Sequence, residues 1–156
     1  MLPMKEVSVF EPALPLHKVV PMWVLPRVGS DATFGLSRPR GVAHTVLVVT
    51  RTTEVAPWLA LLAPSLTALQ ALPARGVVVW ALPALAATAP APWLAVQDAE
   101  GRVAGRYLPD QAMIGVFALD RYNDLYHQWL VATPAELPDA AAVAEWIEAV
   151  GRQCSI

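Results

Sequence analysis

The residues of this chain best placed for chemistry stand where a strand gives way to a helix. His44–Thr50 reads as a buried strand and Arg51–Val55 as a short polar turn. Ala56-Pro57-Trp58-Leu59 opens a long apolar helix that meets a second proline at Pro64. A helix start presents unpaired backbone N–H groups and the positive end of the helix dipole. A cysteine at such a place becomes a thiolate, its pKa drawn down from about 8.5 to roughly 3.5–7.5. This start holds Thr53, Glu54, Ala56, Pro57, Trp58 and Leu59 and no sulfur, so thiol–disulfide exchange is excluded there. Thr53 suits an N-cap, and Glu54 complements the positive helix end.

Other reactive side chains are dispersed. The single cysteine, Cys154, lies third from the C-terminus near Arg152. It offers a mixed or intersubunit disulfide, but it has no helix start to activate it and reads first as an incidental tail thiol. His17, His44 and His127 share no metal-ligand spacing, and no metal is expected. Asp120, Asp124, Glu145 and Glu148 supply carboxylates; the last two fall on the solvated face of a helix, where Glu148 and Arg152 at i, i+4 gain only ~0.2–0.5 kcal/mol. A small-molecule pocket would have to be built from Thr53, Glu54 and Tyr122. There is no phosphate-binding Gly-Lys-Ser/Thr loop, dinucleotide glycine pattern or Gly-X-Ser-X-Gly, so no cofactor is expected.

The 156 residues, 56% of them apolar, suffice for one domain with a full core. A formal charge of −2 with dispersed cations gives no footprint for nucleic acid. Two uncharged stretches, Val55–Ala74 and Gly76–Gln97, are long enough to span a bilayer. Both are broken by prolines, each costing ~3 kcal/mol inside a helix, and a buried helix followed by a buried strand explains them better. The first residues lack a continuous apolar run, so no secretory signal is expected, and a cytoplasmic, soluble protein fits best.

The elements that position the strand–helix junction follow from periodicity. Pro21–Leu25 and Thr33–Leu36 flank Gly29-Ser30-Asp31 as a β-hairpin. In the long helix Leu59, Leu62, Leu66 and Leu69 share a face, with Trp58, Leu61 and Leu72 adjoining it; Pro73 and Gly76 end it. Val77–Leu82 is a second buried strand, completing a βαβ unit. Trp93–Val96 reads as extended, Ala99–Tyr107 as a short helix, and Ile114–Asp120 with Leu125–Val131 as an antiparallel hairpin. Asp139 caps a last helix whose apolar stripe is Val143, Trp146, Ile147 and Val150. Trp80, Trp129 and Trp146 read as core or near-core. Trp58 and Trp93 are either exposed docking anchors or plugs of a vacant site.

The run Thr53–Leu59, followed by Leu61-Leu62-Ala63-Pro64, resembles the active-site helix of the thioredoxin and peroxiredoxin superfamily. Members place Cys-X-X-Cys at the helix start and Ala-Pro two turns later, and the two cysteine positions fall here on Ala56 and Leu59. The peroxiredoxin pattern Pro-X-X-X-Thr-X-X-Cys is met only at Thr53, with Val49 and Ala56 in its proline and cysteine positions. Val20–Pro26, Leu94–Ala104 and Val116–Arg121 resemble, in order, the entrance, the inserted segment and the fourth strand of such proteins. The resemblance implies a thioredoxin-like α/β fold over residues 1–156: a three-layer α/β/α domain with a central mixed sheet, an N-terminal β-hairpin and an extended arm at 1–17. It also puts Ile114 where redox members carry a cis-proline that pairs with substrate backbone. A non-proline cis bond costs ~2.5–4 kcal/mol, so a trans peptide is expected.

Two readings of function follow. The first is a non-catalytic domain with a degenerate redox site at Thr53, Glu54, Ala56, Pro57, Trp58, Leu59 and Ile114. It would bind a protein partner or form a homodimer through a Pro57/Trp58/Met113 surface, with neither nucleic acid nor membrane involved. The alternative is a peroxiredoxin-like, thiol-dependent oxidoreductase using Cys154 with an external thiol.

Overall fold

The computed structural model describes residues 10–37, 43–68, 74–82 and 89–153. Leu69, Leu72, Pro73, most of the proline-rich connection after Leu82, and Cys154 lie outside them.

Val24–Pro26 (β1) and Thr33–Gly35 (β2) form the expected hairpin, with Val24 opposite Gly35. Its turn includes Gly29 at φ +75°, a left-handed conformation that a side chain would strain. The main sheet holds His44–Thr50 (β3), Ala74–Trp80 (β4), Leu94–Gln97 (β5), Ile114–Leu119 (β6) and Leu125–Val131 (β7). Its order is β5-β4-β3-β6-β7, with β3, β4 and β5 parallel and β6 and β7 antiparallel. Every residue of β3 is buried, which is why its sequence is near-continuously apolar rather than alternating.

Alternation along β3 sorts the two layers. Val46 and Val48 face one core with Leu59, Leu62 and Leu66 of helix α1 (Ala56–Ala68). Leu47 and Val49 face the other with Val103 and Tyr107 of α2 (Arg102–Tyr107) and Trp23 of the N-terminal region. Helix α3 (Ala140–Gln153) lies beside α1 and contributes Val143 and Ile147 to the first core. Helices on both faces of a mixed sheet, with a separate hairpin, make the thioredoxin-like three-layer architecture. No helix among the described residues is long and apolar enough to cross a membrane.

Several expectations are corrected. Gly76 does not end α1; it lies inside β4, which begins at Ala74 and stops at Trp80. An added Cβ at Gly76 would sit 2.6 Å from Leu66 Cδ1 and from Trp93 Cε3, so glycine is there for close helix–strand approach. Leu61 is 69% exposed rather than packed. The short helix begins at Arg102, after Gly101 in a left-handed conformation. Trp146 is exposed on α3, stacked on His127 at 4.3 Å between ring centroids.

The hairpin is pinned to the sheet by Arg75. Its Nε donates to Thr45 Oγ1 at 2.8 Å, Nη2 donates to Leu36 O at 3.2 Å, and its guanidinium covers the Phe34 ring. Burial lowers the Arg75 pKa to about 10. The arm residues before the hairpin run beside β7: Leu125 N–H donates to Lys18 O and Gln128 Nε2 to Leu14 O.

Candidate functional site

The junction between β3 and α1 is built from side-chain and main-chain hydrogen bonds that use up its donors. Thr50 Oγ1 donates to Thr52 O at 2.7 Å and accepts from Thr52 N–H at 3.1 Å. Thr52, not Thr53, is the cap: its hydroxyl accepts Glu54 N–H at 3.2 Å and opens a 3-10 turn over Thr53–Val55. Ala56 N–H then donates to Thr53 O. Pro57 has no N–H to offer. Thus residues 54, 56 and 57 offer no free main-chain donor at this turn. Thr53 and Glu54 are exposed side chains at the rim, and Ala56 is half-buried.

Trp58 corrects the expected docking surface. Only 8% exposed, it packs among Val55, Leu59 and Ile147 in the core shared by α1 and α3. Its Nε1–H donates to Pro138 O at 2.8 Å, just before α3. Trp93 is buried as well, its Nε1–H donating to Leu59 O at 2.8 Å. Neither tryptophan is an exposed docking anchor. Leu59, in the second cysteine position, is fully buried; Pro57 is exposed and Met113 half-buried.

The segment before β6 is closed in the same manner. Met113 N–H donates to Val131 O at 2.9 Å, and Met113 O accepts Arg51 N–H at 2.8 Å. Arg51 Nη1 reaches Ala112 O at 2.9 Å. Ile114 is buried and paired with Thr50, and the peptide before it is trans; among the described residues the cis bond is Ala91–Pro92. Both main-chain groups of Met113 are therefore spent inside the domain. Nothing in the residue pattern singles out Arg51 and Thr52, because their roles depend on the trajectory of a turn.

The remaining candidates do not converge on this junction. Since β6 runs antiparallel to β3, Tyr122 at the β6–β7 turn lies at the other end of the sheet from Thr53 and Glu54. A pocket shared by the three does not form. His44 is buried with Nδ1 unpartnered, and desolvation lowers its pKa despite the nearby Asp120. His127, between Trp129 and Trp146, is likewise lowered by burial. Asp120 is occupied by the turn, its Oδ1 accepting Tyr122 N–H and Asp124 N–H. No group of three or more His, Cys, Asp or Glu that could hold a metal occurs among the described residues.

No protein-family profile matches this sequence, and no curated protein sequence matches it. Solved structures do. A 2-Cys peroxiredoxin of Plasmodium vivax superposes with a TM-score of 0.71 at 13% identity, over 88% of this chain and 82% of that one. A Chlorobium tepidum protein assigned as the thiol:disulfide interchange protein DsbE gives 0.66 at 18% identity, over 88% and 99%. The peroxidoxin BcpB of Mycobacterium tuberculosis gives 0.63 at 17%, over 90% and 98%. At these identities the likeness establishes the fold alone. The fold is thioredoxin-like, in the arrangement seen in these peroxiredoxin structures.

Proposed function

We propose that this chain is a non-catalytic thioredoxin-like domain that acts through protein binding or self-association. The observation that supports the reading most directly is the start of α1. Ala56 stands where the fold would present a thiolate, and the amides of residues 54, 56 and 57 are spent or missing. An anion there gains little, because helix-start stabilisation depends on free N–H groups. Met113, whose neighbour occupies the cis-proline position, has no main-chain group left for a substrate strand. The binding surface in this proposal is carried by Pro57 and by Leu61 one turn on, both exposed, with Met113 at its margin and Trp58 beneath as support.

The test is peroxide turnover and insulin-disulfide reduction with an external thiol, for the wild-type chain and Cys154→Ser. Neither protein should exceed the uncatalysed rate. Turnover by the wild type that Cys154→Ser abolishes would overturn the reading and assign a one-cysteine oxidoreductase. Sedimentation of Pro57→Glu and Leu61→Glu proteins examines the surface. If self-association is its role, both weaken it.

A further inference from the structure

The N-terminal hairpin and the main sheet part company where the parallel strands end. β1 approaches β5 through one bridge, Arg27 opposite Val96, reinforced by Val28 N–H donating to Ala95 O at 3.0 Å. Beyond it the chain after β5 turns away at Asp98 toward α2. The space left between hairpin and helix is a cavity of about 360 Å³, on the layer opposite α1. That volume is in the range of small-molecule sites. Its wall is mostly apolar, with Met22, Leu25 and Val103 beside the rings of Trp23 and Tyr107. It borders the carboxyl end of β5, the edge at which open α/β sheets generally gather ligands.

Two buried polar groups distinguish this cavity from a packing fault. Asp98, 2% exposed, lines it. Its Oδ2 accepts Ala104 N–H at 2.9 Å and its main-chain N–H donates to Trp80 O, so the carboxylate is rigidly held. No hydrogen bond to the other oxygen forms among the described residues, and that oxygen is not one of the buried atoms left without a partner, so it stays open to a cation entering the cavity. Trp23 is the second. Its buried indole N–H approaches the Tyr107 hydroxyl without closing a hydrogen bond of normal geometry, while that hydroxyl donates to Pro21 O and keeps its lone pairs as a weak alternative acceptor. At the mouth Glu100 pairs with Arg102 at 2.7 Å, leaving exposed Arg106 without an ion pair among the described residues.

We propose that this cavity binds an apolar α-amino acid. The ammonium group is taken by Asp98, the carboxylate by Arg106 and the Trp23 N–H, and the side chain by Met22, Leu25 and Val103. The arrangement of charge selects a zwitterion. A lone cation meets Arg102 and Arg106, a lone anion meets Asp98 and Glu100, and a neutral hydrocarbon leaves both buried polar groups unpaired. The site shares no residue with the start of α1 and does not depend on the proposed loss of redox function.

The full chain is titrated with L-phenylalanine, followed by calorimetry and by the indole ¹⁵N–¹H signals, with that of Trp23 assigned through Trp23→Phe. Saturable binding with a Kd of about 1 mM or tighter is expected, together with a shift of the Trp23 signal. Asp98→Asn keeps the acceptor for Ala104 N–H and weakens L-phenylalanine about tenfold or more, since it leaves the ammonium unpaired. Arg106→Gln weakens hydrocinnamate and L-phenylalanine but not phenethylamine. Ala99→Trp, at an exposed position on the rim, blocks entry without touching the core, and Glu148→Gln on α3 has no effect. Circular dichroism confirms that each variant is folded. Lack of saturation with an unmoved Trp23 signal overturns the proposal. So does binding that survives both Asp98→Asn and Ala99→Trp, or an analogue of single charge that binds more tightly than the amino acid.

Discussion

Placing a cysteine at the start of α1 measures directly what that helix start does to a thiol. The perturbation is Ala56→Cys in a Cys154→Ser background, and the quantity is the pKa of the new thiol. A helix dipole acting on a partly exposed group is worth about 0.3–1 kcal/mol, or ~0.2–0.7 of a pKa unit downward. Against it stands the exposed Glu54 carboxylate. A like charge a few ångströms away in water costs about 0.7–1 kcal/mol, a comparable displacement upward. Direct hydrogen bonds would ordinarily add the larger part. Here Glu54 N–H is held by Thr52 Oγ1, Ala56 N–H by Thr53 O, and Pro57 has none. The terms nearly cancel, and the thiol should titrate within about half a unit of 8.5. Glu54→Gln in the same background should lower it by about 0.5–0.7 of a unit. Thiolate ultraviolet absorbance against pH reads both values. A pKa below about 7 would place the thiol in the activated range and refute the argument that the donors are spent.

The other expectations concern packing and protonation. Trp58→Phe removes the donor to Pro138 O and should cost about 1–3 kcal/mol in urea unfolding, whereas Trp58→Ala should cost ~3–5 kcal/mol; equal small losses would mean the indole N–H does not close the junction. Gly76→Ala forces a Cβ to within 2.6 Å of Leu66 and Trp93 and should destabilise by ~1–3 kcal/mol. Gly105→Ala, with nothing within 4 Å, should stabilise by about 0.5–1 kcal/mol. The pKa values of His44 and His127 are lowered by burial from 6.5, so the unfolded chain binds protons more readily than the folded one. Their contribution is complete above that value and is lost as pH falls through the lower folded pKa, so unfolding free energy should decline below about 6.5. His127→Gln should flatten the slope.

The sheet was legible because its residues answer to local rules. The run from His44 to Thr50 had to be a strand covered on both faces. The alternation from Ile114 to Val131 had to be a hairpin, and the apolar stripe through Val143 and Ile147 had to face a core. Its failures come from neighbours distant in sequence. Gly76 looks like a helix terminator until Leu66 and Trp93 are seen against its Cα. Leu61 fits the helical pattern of its neighbours, yet no element among the described residues covers it. The fate of Trp58 was open because an acceptor 80 residues away, Pro138 O, decides whether the ring is an anchor or a plug. Asp98 and Trp23 gave no signal of a shared cavity, since it exists only through the divergence of β1 from β5.

On the proposed non-catalytic reading, what occupies the junction bears on how a sulfur placed there would behave. A working thioredoxin-like tip must leave amides free for the thiolate and main chain free for the substrate. Here several such groups are drawn into the body of the domain. Arg51 binds the loop before β6 through both its main chain and its guanidinium, Met113 is tied on both sides, and Trp58 joins α1 to the entry of α3. These bonds replace exchangeable partners with fixed ones. They stabilise the fold by the same interactions that catalysis would require to be open, since a donor closed at rest must be broken before it can serve a transition state. Fixed partners of this kind hold a surface constant, and the cavity across the sheet adds a buried carboxylate and the Trp23 indole N–H, which closes no hydrogen bond of normal geometry.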